Sequence, residues 1–275
     1  MPRPGERITS VRNPLVLRFR RALEGRDRGD VVLEGVRLVE DALASGVVPA
    51  AVLVSPRLAA TEGGRRLLER LTGSTPPPFP ATDAVVAAAT EARTHQGVAA
   101  IAPVPAWGEE DLFPTGGDPF LLVAAGVQDP GNLGALLRVA EAAGATGFLA
   151  TDGSARPFQD RCARASAGAL FRVPVLAGLA AVDAAALLAR RGLRLLAADS
   201  RGGEDFRRAD LAGPIALLLG SEGHGLPPAL RRAADLRVRI PLRGRVESLN
   251  VAAAAAVLAF EVARRREERG VEIPR

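Results

Sequence analysis

Three short segments of this 275-residue chain hold polar side chains and glycines at spacings that could serve chemistry. The first reads Val127-Gln128-Asp129-Pro130-Gly131-Asn132-Leu133-Gly134-Ala135-Leu136-Leu137-Arg138. An apolar run ends in a Pro-Gly turn, and a helix follows. Asn132 suits the N-cap, where its side-chain oxygen accepts a free backbone N–H. Gly134 and Ala135 let that end pack closely, and Arg138 lies near the end of the second turn. With Glu141 three residues later, the pattern also fits a capped helix with an ordinary surface ion pair. The second segment reads Leu217-Leu218-Leu219-Gly220-Ser221-Glu222-Gly223-His224-Gly225-Leu226-Pro227. Its three glycines permit positive φ and a close backbone approach to a ligand. It lacks the ending of a P-loop and the G-x-G-x-x-G spacing of a dinucleotide site. Glu222, between glycines, has few local neighbours to pack on. His224 is either an acid–base group or a plain loop residue, and a flexible turn is the competing account of the whole segment. The third reads Arg239-Ile240-Pro241-Leu242-Arg243-Gly244-Arg245-Val246-Glu247-Ser248-Leu249-Asn250-Val251. Ser248 or Asn250 can cap the alanine-rich helix that follows, whose small residues permit close packing, including across a dimer interface. Six Arg against one Asp over 231–245 form either a basic binding cluster or a solvated face.

All three segments fall where an apolar run meets a turn, so a parallel sheet must position them. Phe120–Val127 is a continuous apolar run, as in a strand buried on both faces. Helices are expected at 132–143, near 158–169, and at 181–191, 227–233 and 248–268. Strands are expected at 146–150, 173–176, 193–198, 215–219 and 237–241. This βαβ alternation implies a mainly parallel sheet, and open parallel sheets bind ligands beyond the carboxyl ends of their strands. Upstream, helices at 12–24, 35–45, 57–71 and 83–89 alternate with strands at 31–34, 50–54 and 97–102, a small α/β sandwich. The stretch 103–119 has four prolines, three glycines and four acids without a sustained period. It reads as a linker between domains at 1–102 and 120–275, or as a long ordered loop within one.

Composition narrows the classes. The chain is 48% hydrophobic and 24% charged, as in a soluble globular protein rather than a disordered or collagen-like one. A single Cys162 excludes an intrachain disulfide framework, and two distant histidines, His95 and His224, make a metal cluster unexpected. No apolar signal stretch follows the N-terminus, and the longest apolar run, Val251 to Phe260, is too short to span a bilayer. A soluble, cytoplasmic protein with no membrane partner is expected. All 36 basic residues are arginine, and the net charge of +5 equals the excess within residues 1–28, where eight Arg meet three acids. Those residues read as a basic arm for a polyanion such as RNA, or as a solvated helix written in an arginine-biased code. A further cluster has four Arg against one Asp across 156–172.

Taken together, the three segments resemble the three motifs of the SpoU/TrmH family of RNA ribose 2′-O-methyltransferases, in the SPOUT superfamily. Asn132, Gly134 and Arg138 match its Asn-x-Gly-x-x-x-Arg pattern. Gly220, Glu222, Gly225 and Leu226 match its Gly-x-Glu-x-x-Gly-Leu pattern. Ile240, Pro241, Ser248, Leu249, Asn250 and Val251 match its Ile-Pro…Ser-Leu-Asn-Val pattern. The match covers about 120–268. More loosely, Glu34-Gly35-Val36-Arg37-Leu38-Val39 and His95-Gln96-Gly97-Val98 resemble the RNA substrate-binding domain attached to many members.

The resemblance implies an α/β fold whose C-terminal parallel-sheet domain is threaded as a trefoil knot, with a smaller N-terminal α/β domain similar to a ribosomal RNA-binding fold. It implies S-adenosylmethionine, bound largely by backbone groups at Gly220, Ile240 and Leu249, with Leu219, Gly225 and Leu242 beside them. It assigns the chemistry to Arg138, as a base or, since guanidinium stays protonated, as a clamp on the neighbouring phosphate and a stabiliser of a developing alkoxide. Asn132, Glu222, Ser248 and Asn250 would orient Arg138, the RNA or the cofactor. It further implies a homodimer with a shared site, and rRNA as substrate. A tRNA methyltransferase and a non-catalytic RNA-binding protein are the alternatives.

Overall fold

The structure, a computed structural model, describes residues 6–73, 76–92, 94–114 and 116–270. In chain order the elements begin α1 (Pro14–Leu23), β1 (Asp30–Glu34), α2 (Val36–Ala44), β2 (Ala51–Val54), α3 (Glu62–Thr72), β3 (Phe79–Pro80), α4 (Asp83–Ala88) and β4 (Val98–Pro103). They continue with β5 (Phe120–Ala125), α5 (Pro130–Ala142), β6 (Gly147–Thr151), α6 (Asp160–Ser166), β7 (Val175–Leu179) and α7 (Ala181–Arg190). Next come β8 (Arg194–Ala198), β9 (Glu204–Asp205), β10 (Ile215–Gly220), α8 (Pro228–Ala233), β11 (Leu236–Arg239) and α9 (Val251–Glu268). The chain divides into two compact units: Met1–Ala106 with Phe158–Phe171, and Trp107–Pro157 with Arg172–Arg275.

The first unit holds a four-stranded sheet in the order β1-β4-β2-β3, antiparallel except for the β2–β3 pair. Part of the expected basic arm is helical here. Asn13 caps α1 by accepting the Leu15 N–H at 2.9 Å, Pro14 presets the first turn, and Leu15, Val16 and Phe19 fall on one buried face. Arg18 is spent on Asp30 through two bonds of 2.6 and 2.7 Å. Arg18, Arg20 and Arg21 therefore sit on a core helix, while Arg7, Arg12, Arg26 and Arg28 flank it; Arg3 lies outside the described residues.

The single expected helix at 57–71 is a 3-10 turn, Pro56–Ala60, and then α3, because Thr61 is extended and caps α3 by accepting the Gly64 N–H at 3.1 Å. The helix expected near 158–169 closes earlier, at Ser166, where Ala167 turns into the left-handed region. α6 is fastened to β1 by charge. Arg164 Nη1 donates to Glu34 at 2.9 Å and to Asp160, and both carboxylates are buried. Burial pushes the Asp160 carboxyl up to about 7 against the pull of Arg164, with Glu34 and Glu91 adding to the rise.

The second unit is a seven-stranded sheet, parallel at every pairing, in the order β7-β6-β5-β10-β8-β11-β9. β5 is buried at all six positions and β10 at five of six, which explains their unbroken apolar sequences. The boundary between the two units, at Ala106 and Trp107, falls within the stretch 103–119. Pro103 ends β4, and Leu112, on a 3-10 turn at Glu110–Leu112, is fully buried in the second core. Arg191 binds Glu109 and Glu110 and lies 4.7 Å from the centre of the Phe113 ring. The two-residue strands β3 and β9 are too short to leave a period in the sequence.

Candidate functional site

β5 and β10 are neighbours, and from them the chain proceeds in opposite directions along the sheet, a switch point at whose carboxyl ends ligands commonly bind. The first motif leaves β5 there. Asp129, not Asn132, caps α5: its Oδ1 accepts the Asn132 N–H at 2.8 Å, and Pro130 begins the helix. The Asn132 side chain is thereby free for other partners. The second motif leaves β10 as a tight turn, closed by paired Ser221 and Gly225 backbone bonds of 3.2 and 2.8 Å. Gly225 has φ +67°. A Cβ on Gly220 would lie 2.2 Å from the Gly225 carbonyl carbon, so that glycine serves the chain's approach to itself. The turn projects Glu222 outward. In the third motif Asn250 caps α9, its Oδ1 accepting the Ala252 and Ala253 N–H groups at 3.0 and 3.4 Å.

Glu222 gathers the three motifs. Its Oε1 accepts from Asn250 Nδ2 at 2.8 Å, Asn132 Nδ2 at 3.2 Å and the Val251 N–H at 3.4 Å. Asn250 Nδ2 also reaches Asn132 Oδ1 at 2.9 Å. Residues 90 and 118 positions apart thus share one network. Beside it lies a cavity of about 360 Å³ whose lining includes Leu219, Gly220, Glu222, Gly225, Ile240, Leu242, Ser248 and Leu249. Every expected cofactor-binding position is among them. His224 also lines it; its N–H donates to Ser221 Oγ at 3.2 Å.

Arg138 is exposed on α5 and does not line this cavity. The expected pair with Glu141 does not form, because Arg172 holds both oxygens of Glu141. Arg138 makes no ion pair or side-chain hydrogen bond among the described residues. Sequence reasoning missed the wall given by Ala197–Arg201 after β8. Applied to the strand at 193–198, the strand-end rule points to Asp199 and Ser200. It also missed Asp129 and the Arg172–Glu141 pair, the latter joined across 31 positions with no local signal.

Parallel strands, a crevice at their carboxyl ends and three loops meeting on one carboxylate define an α/β protein built to hold a small ligand beside exposed polar groups. The comparisons with known proteins make this specific. Residues 119–260 match the SpoU rRNA Methylase family, and the chain belongs to it. It is 31% identical over 262 residues to the 23S rRNA (guanosine(2553)-2′-O)-methyltransferase RlmP of Bacillus subtilis, covering 94% of this chain and 99% of that one. It is 39% identical over 175 residues to the 23S rRNA (guanosine-2′-O-)-methyltransferase RlmB of Ralstonia nicotianae, covering 62% and 70%. Among solved structures, the AdoMet-bound rRNA methyltransferase from Sinorhizobium meliloti matches with a TM-score of 0.79 and 29% identity, covering 95% of this chain and 98% of that one.

Proposed function

We propose that this protein methylates a ribose 2′-hydroxyl of RNA, in rRNA rather than tRNA, using S-adenosylmethionine. The observation that carries the reading is the convergence of three motifs on Glu222 at the rim of a cavity lined by all the expected cofactor positions. The cavity fits the cofactor chemically. Leu219, Ile240, Leu242 and Leu249 offer apolar walls for an adenosyl group, the strand ends offer backbone donors and acceptors, and Asp199 and Glu222 offer carboxylates to a cation. When bound, the cofactor supplies an already activated methyl group on sulfonium. This chain's own residues then have to place the 2′-oxygen and accommodate its lost proton. Glu222 holds the Asn132 and Asn250 amides in fixed orientation, and Ser248 lines the same cavity. Arg138, a permanent cation without an ion-pair partner among the described residues, suits a phosphate clamp and electrostatic stabiliser better than a base.

The rRNA preference is supported by the relative from Bacillus subtilis, whose similarity extends through both units. On this reading the first unit takes part in binding RNA and the protein works in the cytoplasm. Threading of the C-terminal segment as a trefoil knot is what the family resemblance implies, and β10, between the earlier strands β5 and β8, returns the chain to the middle of the sheet. A homodimer that completes the site is supported by the placement of Arg138 outside its own chain's cavity and by Val257 and Phe260, 40% and 50% exposed on α9.

The test maps ribose 2′-O-methyl positions in rRNA and tRNA from cells with and without the gene, beside calorimetry of S-adenosylmethionine binding. Arg138→Ala is expected to abolish transfer while the cofactor still binds. A protein that binds RNA but no cofactor would overturn the reading in favour of a non-catalytic role.

A further inference from the structure

A second cavity, of about 290 Å³, opens within the first unit, near the lower end of the size of small-molecule sites (roughly 300–1,000 Å³). Its lining includes Gly35, Arg37, Thr94, Gln96, Arg164 and Ala167. The backbone there is specialised. Ala167 is the one non-glycine residue with positive φ among the described residues, at +50°, a conformation that costs L-residues on the order of 1 kcal/mol and gathers at functional sites. Gly35, at φ +87°, brings the chain so close to Gln96 that a Cβ would sit 3.0 Å from Oε1.

The lining holds the carboxylates of Glu34 and Asp41 beside the guanidinium groups of Arg37 and Arg164, and the carboxylates are largely engaged. The Glu34 carboxylate already accepts the Glu91 and Ala92 N–H groups, at 3.1 to 3.2 Å, and Arg164. Gln96 Oε1 accepts the Val36 N–H at 2.8 Å, and Asp41 Oδ2 accepts Arg37 Nε at 3.2 Å. Donors remain. Arg164 commits only Nη1, to Glu34 and Asp160, so its Nε and Nη2 have no partner among the described residues. The same holds for Gln96 Nε2, the Thr94 hydroxyl and both terminal nitrogens of Arg37. Unspent donors, two guanidinium groups among them, suit an acceptor-rich anion.

We propose that this cavity receives a single unstacked nucleotide of the RNA substrate, its phosphate against Arg37 and Arg164 and its base acceptors on Gln96 Nε2 and the Thr94 hydroxyl. Sequence-specific RNA recognition commonly takes splayed single-stranded nucleotides in this manner. The proposal rests on the RNA-methylating reading above. It gives the first unit a specific contact rather than a diffuse basic surface.

Full-length protein crosslinked to 23S rRNA transcripts carrying 4-thiouridine should give crosslinked peptides that contain Thr94–Gln96 and Arg164–Ala167. Thr94→Trp, which fills the cavity mouth from an exposed position, and Arg37→Glu should each weaken RNA binding at least tenfold. S-adenosylmethionine affinity should stay within twofold. Arg37→Glu should also lower the slope of log K against log salt by about 0.7, the loss of one single-strand phosphate contact. Variants that bind and methylate RNA like the wild type, with the wild type active, overturn the cavity's role. A wild type that neither binds the cofactor nor methylates any RNA overturns the functional reading instead.

Discussion

Replacing Glu222 by alanine removes the acceptor shared by the three motifs. Two of its bonds are well formed, to Asn250 Nδ2 at 2.8 Å and Asn132 Nδ2 at 3.2 Å, and the third, to the Val251 N–H at 3.4 Å, is long. Hydrogen bonds to a charged group are worth about 1.5–3 kcal/mol when water is excluded. Glu222 and Asn250 are exposed and Asn132 is half-buried, so about 1 kcal/mol for each of the two good bonds is the fitting figure. The sum, about 2 kcal/mol, corresponds to roughly a 30-fold loss in rate if the network's alignment is needed at the transition state. Folding should be little affected, because Asn250 still caps α9 through the Ala252 N–H at 3.0 Å, and Asn250 and Asn132 still bond each other at 2.9 Å. Single-turnover methyl transfer at saturating cofactor, with thermal unfolding alongside, measures this. Glu222→Ala is expected to lose 10- to 100-fold in rate, with a melting temperature lowered by only a few degrees. Glu222→Gln, which keeps an acceptor oxygen without its charge, should lose less. A Glu222→Ala rate within threefold of wild type would refute the argument that this carboxylate organises the site.

Gly220→Ala forces a Cβ to within 2.2 Å of the Gly225 carbonyl carbon, so the turn must open, at a cost on the order of 2–4 kcal/mol. Calorimetry should show cofactor affinity at least tenfold weaker, and unchanged affinity would show that the turn yields freely. Asp160 titrates near 3.8 when unfolded and near 7 when folded. Between those values the native state keeps a proton the unfolded chain has lost, so stability falls as pH rises, by up to about 1.4 kcal/mol per unit, and levels off above the folded value. Scanning calorimetry of wild type from pH 5 to 8 should show the decline and Asp160→Asn should lack it; parallel curves would remove Asp160 as the cause. Because α1 belongs to the core, the basic N-terminus is best probed by paired Arg20→Ala and Arg21→Ala, both exposed. Fluorescence titration over a salt series should find a log–log slope smaller by about 1.4, and an unchanged slope would return these arginines to a solvated face.

The sequence alone determined the parallel sheet and the segments that bear the site. Short apolar runs such as Phe120–Ala125 and Ile215–Gly220, bounded by turns heavy in glycine and proline, fit strands buried on both faces. It also located the part of the main cavity's lining that the second and third motifs supply, though not the wall at Ala197–Arg201. What local pattern could not reveal was partnership between distant residues. Asn132 is as good an N-cap as Asp129 by residue type. Only the observed bond from the Asn132 N–H to Asp129 makes Asp129 the cap and gives the Asn132 amide to Glu222. Glu141 three residues after Arg138 is a plausible helical pair until Arg172, 31 positions on, takes the carboxylate. The arginines of residues 6–28 looked like an arm because charge is visible in a composition, whereas the burial of Leu15, Val16 and Phe19 depends on a sheet assembled from residues up to 103. Likewise 158–171 falls within the second half of the chain but clusters with the first unit, through Arg164 reaching Glu34 across 130 positions. Propensity, capping and strand burial act over a few residues and can be read along the chain. Hydrogen-bond and ion-pair partners are chosen by proximity in space, which only the tertiary structure sets.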